Sequence, residues 1–261
     1  MPIKVFTKEN QASGNFNNGQ ILEKKPIGFP QDGGQLNPYS NLFYWAHAWA
    51  PDKDSTIGLH PHRGFEICSF VLKGEIEHYD TLLEKWITLK KGDVQIIKAG
   101  KGISHSEKLK SNSEILQIWF DPNIQESLYI EPSYNDFKSE EFLLEKNNGL
   151  EVKTISNKKN QLGLDTEGIQ IFESTFIDGE SDYLLEENAF HSIFILSGNL
   201  SIRDQVYQKG DFIIVDNEKY IELSTKNNCK IFEIISPVSP AYRTYAETVS
   251  YTHLTLPTRL S

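Results

Sequence analysis

Two short stretches of the chain carry side chains able to hold a metal ion: His60-Pro61-His62-Arg63-Gly64-Phe65-Glu66 and Gly100-Lys101-Gly102-Ile103-Ser104-His105-Ser106-Glu107. Each places two potential ligands at i and i+2. Side chains alternate between the faces of a β-strand, so His60 shares a face with His62, and His105 with Glu107. If the two strands face one another, three imidazoles and one carboxylate converge. That donor set suits a first-row divalent metal such as iron, nickel, copper or manganese, whereas a closed structural zinc site more often draws on cysteine. It points to a catalytic or sensing metal. A single pair of histidines two residues apart is common on protein surfaces and says little. Two pairs, each flanked by glycine turns and apolar runs, are poorly explained by accident.

The elements that must position these residues read as short strands. Apolar or alternating runs, rich in β-branched and aromatic residues, recur at 42–50, 66–72, 75–79, 86–89, 94–97 and 115–120, and again at 169–176, 192–196, 212–215, 220–223 and 230–235. Regular short strands with few helices imply an all-β barrel or sandwich. The polar stretch 135–160 reads as an interdomain linker in which 139–144 forms a short helix. An internal repeat supports two copies of one unit: Val71-Leu72-Lys73-Gly74-Glu75-Ile76 is echoed by Ile195-Leu196-Ser197-Gly198-Asn199-Leu200, and Lys91-Gly92-Asp93 by Lys209-Gly210-Asp211. The expected division is an N-terminal metal-binding domain, 1–134, the linker, and a C-terminal degenerate domain, 161–248. Offsets from the repeat glycines map His60 and His62 to Leu184 and Glu186, and His105 and Glu107 to Leu223 and Thr225. The second unit has therefore lost the ligand set; His191, beside Phe190 and Ile193, reads as a packed or rim residue.

The chain has 261 residues and a formal net charge of −10, with no basic stripe, which argues against nucleic-acid binding; Lys158-Lys159 reads as a solvated loop. No run approaches the length of a membrane span, and Met1-Pro2-Ile3-Lys4 lacks the apolar core of a signal peptide, so a cytoplasmic location with no membrane contact is expected. Cys68 and Cys229, each inside an apolar run, read as buried reduced thiols. The last residues, Val249-Ser250-Tyr251-Thr252-His253-Leu254-Thr255-Leu256-Pro257-Thr258, resemble the translation of a transposase-type sequencing adapter. Residues 249–261 are accordingly read as non-native, and His253 is discounted as a ligand. There is no phosphate-binding glycine loop, no nucleophile elbow and no pair of cysteines two apart.

The stretches Leu59-His60-Pro61-His62-Arg63-Gly64-Phe65-Glu66, Val71 to His78, Gly92-Asp93-Val94-Gln95 and Ala99 to Glu107 resemble those of the pirin family, bicupins that include quercetin 2,3-dioxygenase-like members. The resemblance covers mainly 40–125. It implies two cupin barrels (double-stranded β-helix, or jelly-roll) in one chain, with a single divalent transition metal, Fe(II) first among the candidates, in the N-terminal barrel. Its ligands carry over to His60, His62, His105 and Glu107. The activity implied is dioxygenation of a flavonol-like small aromatic substrate by O₂, with Glu107 also serving as general base. The alternative is a non-catalytic iron-binding redox sensor or transcriptional co-regulator acting through a protein partner, with Arg63 and Lys101 near the responsive surface; a third reading is another small-molecule cupin enzyme such as an isomerase. Lys98 departs from the family, where a small hydroxyl residue is frequent. Arg63 and Glu66 are candidates to orient the ligands or to form structural ion pairs, and Phe65, Trp119 and Phe120 to line a cavity or the core. His78, among Glu75 and Glu77, reads as exposed, and the role of His47 stays open.

Overall fold

The computed structural model describes residues 3–147 and 149–248; the tail 249–261, with His253, lies outside the described residues. Four antiparallel sheets make up the fold. The first large sheet runs in the order Ser133–Phe137, Val94–Lys98, Glu66–Lys73, Ser113–Phe120, Leu42–Ala50, Ile21–Ile27, Ala12–Phe16. Its small companion runs Ser55–His62, Ile103–Leu109, Glu75–Asp80, Trp86–Lys90. The second large sheet is ordered Ile3–Phe6, Phe212–Val215, Ala189–Ser197, Cys229–Pro237, Gln170–Phe176, Leu150–Ser156, Leu143–Asn147, and its companion Gly179–Leu184, Tyr220–Thr225, Asn199–Ile202, Gln205–Gln208. Two jelly-roll barrels result, as the resemblance implied.

Strand parity decides which residues face which layer. On the first large sheet, Cys68, Phe70, Val94, Ile96, Leu116, Ile118 and Phe120 join one buried cluster with Phe194, Phe212, Ile214, Phe232 and Ile234 of the second. The two large sheets therefore pack face to face and join the barrels. Trp45, fully buried, lies with its ring centroid 5.0 Å from Phe212 and 5.8 Å from Phe232, both edge-on. Burying each such aromatic stabilises the junction by about 1.5–3 kcal/mol. The alternate residues, among them Ser69, Gln95, Gln117 and Trp119, face into the first barrel instead.

The repeat is visible in backbone detail. Gly74 and Gly198 both take left-handed φ, 72° and 76°, at the turns joining paired strands, and Gly92 and Gly210 do so at 89° and 94°. Gly92 N–H donates to Val71 O and Gly210 N–H to Ile195 O, while the Asp93 and Asp211 carboxylates cap Lys90 N–H and Gln208 N–H alike. The second barrel is filled by side chains, Ile193, Ile195, Leu200, Ile202, Ile221 and Leu223 among them. Here the gap-free mapping is two residues out. His78 pairs with Glu107 in the first barrel, and its counterpart Ile202 pairs with Leu223, so Ile221 and Leu223, not Leu223 and Thr225, stand where His105 and Glu107 do. The strand is reached by a connection two residues shorter, and the equivalents are apolar either way.

The stretch 135–160 is not an irregular linker. Ser133–Phe137 pairs with Val94–Lys98 at the edge of the first sheet, and Leu143–Asn147 and Leu150–Ser156 extend the second. Its polar composition comes from the edge position, where Leu143–Asn147 is exposed along its whole length. The expected helix is a single 3₁₀ turn, Ser139–Glu141, followed by strand. Nor do residues 1–134 belong wholly to the first barrel, because Ile3–Phe6 edges the second, pairing with Phe212–Val215. His191 is buried there, its Nδ1–H donating to Glu233 and its Nε2 accepting from Glu186 N–H, so it is the packed residue expected. Cys68 and Cys229 are buried free thiols.

Candidate metal centre

His60 and His62 end the strand Ser55–His62, and His105 lies directly opposite His60 on Ile103–Leu109. Alternation turns all three rings into the first barrel. Their centroids are 4.5 to 4.7 Å apart, and one nitrogen from each lies within 4.8 Å of the others. His60 Nδ1 is 2.8 Å from Gly58 O, a contact that assigns the proton to Nδ1 and leaves the Nε2 lone pair free. Nε2 of His62 and both nitrogens of His105 are buried without a hydrogen-bond partner. Each such group left unsatisfied costs about 1–3 kcal/mol, which a bound cation would offset. Burial, reinforced by the neighbouring imidazoles, pushes His62 and His105 down to about 3, so both rings are neutral at physiological pH. Donor type, orphaned nitrogens and convergence all fit a divalent transition metal.

Glu107 lines the same cavity as His60 and His62 but is not within the tight group of three. Its Oε1 accepts from Ser69 Oγ and Gln95 Nε2, both at 3.0 Å, and its Oε2 from Gln117 Nε2 at 2.5 Å. These donors form one rung across the sheet, since Ser69 is in register with Gln95 on one side and Gln117 on the other. Three hydrogen bonds fix the orientation of this buried carboxylate. Trp119 Nε1 donates to Gln117 Oε1 at 3.3 Å, and the Trp119 ring stands edge-on to His62 at 4.8 Å.

His78 is the main correction. It is fully buried, because Ile76, His78 and Asp80 point inward while Glu75 and Glu77 point out, where Glu77 pairs with Lys108 and Lys110. His78 Nε2 donates to Asp80 at 2.7 Å, and its ring stacks on Tyr134 at 4.5 Å and lies 5.7 Å from His105. Counting parity from Ile76 would have revealed it. Ser69, Gln95 and Gln117, to which the sequence assigned no role, each interrupt an apolar run (67–72, 94–97 and 115–120) as its one polar residue, which is a usable signal.

The other candidates divide. Glu66 does not touch the imidazoles; it accepts from Asp165 N–H, Thr166 N–H and Thr166 Oγ, tying the first barrel to the loop before the second. Lys98 pairs with Glu66 and Asp165, an ion-pair role that a small hydroxyl residue could not fill. Arg63 is exposed, and Lys101 pairs with Glu131. Phe120 is core, Trp119 lines the cavity, and Phe65 packs with Phe43 and Tyr245. His47 faces the other barrel, 3.3 Å from Glu114 and against Phe194. The cavity measures about 470 Å³, within the range of about 300–1,000 Å³ usual for small-molecule sites. Among the described residues no helix is long and apolar enough to cross a membrane.

The Pirin family model matches residues 32–120. A pirin-like protein of Arabidopsis thaliana is 37% identical over 39% of this chain and 34% of its own length, and a second covers 30%, so the chain spans about a third of these curated relatives. Among solved structures, the bacterial pirin YhhW of Escherichia coli, in complex with nickel(II), is 20% identical over 90% of this chain and 99% of that one, with a TM-score of 0.73. A quercetin 2,3-dioxygenase of Acinetobacter baumannii gives the same TM-score at 17% identity, covering 91% of this chain and 79% of its own. The matched segment holds all three clustered imidazoles and Glu107, and the two-barrel fold extends through the described chain: residues 32–120 match the Pirin family, within a two-barrel fold similar to those of the solved pirin and quercetin 2,3-dioxygenase.

Proposed function

We propose that the chain is a metal-dependent dioxygenase of the quercetin 2,3-dioxygenase type, acting on flavonol-like aromatic substrates. The observation that carries this reading is the trio of converging imidazoles beside an aromatic-walled cavity, which His60, His62 and the hydrogen-bonded carboxylate of Glu107 line. The solved dioxygenase of the same fold supports it. His60, His62 and His105 would hold the ion, with Glu107 as fourth ligand. When bound, Fe(II) supplies Lewis acidity and a path for electrons from substrate to O₂.

The chain's own residues do the rest. Trp119, Phe29, Phe16 and Tyr44 offer the ring faces on which a planar aromatic substrate packs. Glu107 accepts the proton of the substrate's enolic hydroxyl, so the O–H bond breaks and its electron pair stays on the substrate oxygen. Ser69, Gln95 and Gln117 keep the Glu107 carboxylate aimed while it does so. Both atoms of O₂ enter the products, one carbon leaving as CO, and the substrate supplies the electrons, so no external reductant is required.

The test is an aerobic assay of iron-loaded protein with quercetin. Loss of flavonol with CO release is expected, and Glu107→Gln should lower the rate by about 10²–10⁴-fold, as for loss of a general base. Flavonol loss no faster than in a metal-free control would refute the activity.

A further inference from the structure

The cavity lined by His60 and His62 has a second polar wall, whose charged groups the proposed reaction does not use. Glu23 and Lys25 sit at i and i+2 on the strand Ile21–Ile27 and both turn inward, 7% and 8% exposed, with Tyr44 on the neighbouring strand at 4%. All three line the same cavity as His60, His62 and Glu107. Lys25 Nζ lies 3.1 Å from Asp32 and 3.4 Å from Glu23, and the Tyr44 hydroxyl donates to Glu23 Oε1 at 3.4 Å. Gly14 faces the pair; a Cβ there would stand 2.6 Å from Glu23 Oε2, so a bare backbone leaves them room.

Two features separate this cluster from a structural ion pair. A buried carboxylate is tolerated when it is well hydrogen-bonded, as Glu107 is by three donors at 2.5 to 3.0 Å. Glu23 is held more loosely: a carboxylate offers about four acceptor sites, and here the Tyr44 hydroxyl and Lys25 Nζ each stand 3.4 Å away. Burial accordingly pushes its carboxyl above the usual range. The second feature is charge. Two carboxylates against one ammonium leave no surplus positive charge to attract an anion.

We propose that Glu23, held by Lys25 and Tyr44, is a specificity-determining residue that accepts a hydrogen bond from a hydroxyl on the part of an aromatic substrate remote from the imidazoles. The inference rests on the reading of the cavity as a flavonol-type site and narrows it: the substrate class is a neutral polyhydroxylated aromatic, and carboxylated, sulfated or phosphorylated aromatics are disfavoured. Glu23 and Lys25 lie outside the segment matched by the family model, on a hairpin added to the edge of the sheet.

The test is calorimetric binding under anaerobic conditions, so that no turnover intervenes, with iron-loaded protein. The probes are quercetin and the parent flavonol that lacks the hydroxyls of quercetin's fused and pendant rings. Wild type should bind quercetin about tenfold or more tighter, the worth of one hydrogen bond to a charged acceptor. Glu23→Ala should abolish that preference while leaving affinity for the parent flavonol unchanged, with Glu23→Gln intermediate. Equal binding of the two probes by wild type overturns the subsite and leaves the flavonol reading standing. So does a parallel loss of both in the variants, which marks a structural role. Binding of neither probe by wild type overturns both readings. If Glu23→Ala does not fold, the wild-type ratio and the Glu23→Gln variant decide.

Discussion

At the scale of single residues, the centre combines two kinds of polar group with opposite requirements. The imidazoles of His62 and His105 are buried with nitrogens unpartnered, which is costly unless a cation takes the lone pairs. Glu107, also buried, accepts three hydrogen bonds from neutral donors. The first set leaves lone pairs for a cation, and the second holds a carboxylate aimed. Gln95 tests that division, because it is fully buried and bonds both Ser69 and Glu107 without touching the imidazoles. Gln95→Leu should retain the fold by circular dichroism and weaken metal binding by about 10–100-fold, as removal of an orienting partner does. Unchanged metal affinity in a competitive chelator titration would show that the rung does not position the carboxylate.

At the scale of elements, what was legible depended on period. His60, His62 and His105 were readable as a converging set because i, i+2 spacing fixes the face of a strand, and the pairing of His60 with His105 realises that geometry. Glu107 shares their cavity, although the trio forms without it. The same rule, applied to the wrong parity, concealed His78. The edge strands were the least legible, since Leu143–Asn147 and Gly179–Leu184 are largely exposed and carry no apolar alternation. The strand Ile3–Phe6 was missed for another reason: its partner Phe212–Val215 is more than two hundred residues away, and pairing at that range leaves no local signal. The inward polar rung of Ser69, Gln95 and Gln117 depends on three strands being in register, which single runs do not reveal.

At the scale of the whole molecule, one barrel holds an open cavity and the other is packed shut, with the two large sheets packed between them. Glu114 spans the rim of that junction, 3.3 Å from His47 of its own barrel and 3.3 Å from Lys209 of the other. The hydrogen bond from His47, with Lys209 adding, draws its carboxyl from 4.5 to about 2. Because the folded value lies below the unfolded one, the stabilisation is present above about pH 4.5 and is lost as pH falls through about 2. After allowance for partial exposure it amounts to about 1–2 kcal/mol. Urea unfolding at about pH 6 and about pH 3 should therefore show wild type losing more stability on acidification than Glu114→Gln, by roughly half of that amount because the folded carboxyl is still largely ionised at about pH 3; identical losses would remove Glu114 from the junction's energetics. The filled second barrel, with Ile221 and Leu223 in place of ligands, limits the chain to one centre of this type among the described residues. The most direct measurement is elemental analysis of freshly purified protein beside its His105→Ala variant. The account predicts about one equivalent of a first-row transition metal per chain in the wild type and loss of nearly all of it in the variant. Stoichiometric metal retained by His105→Ala would contradict it.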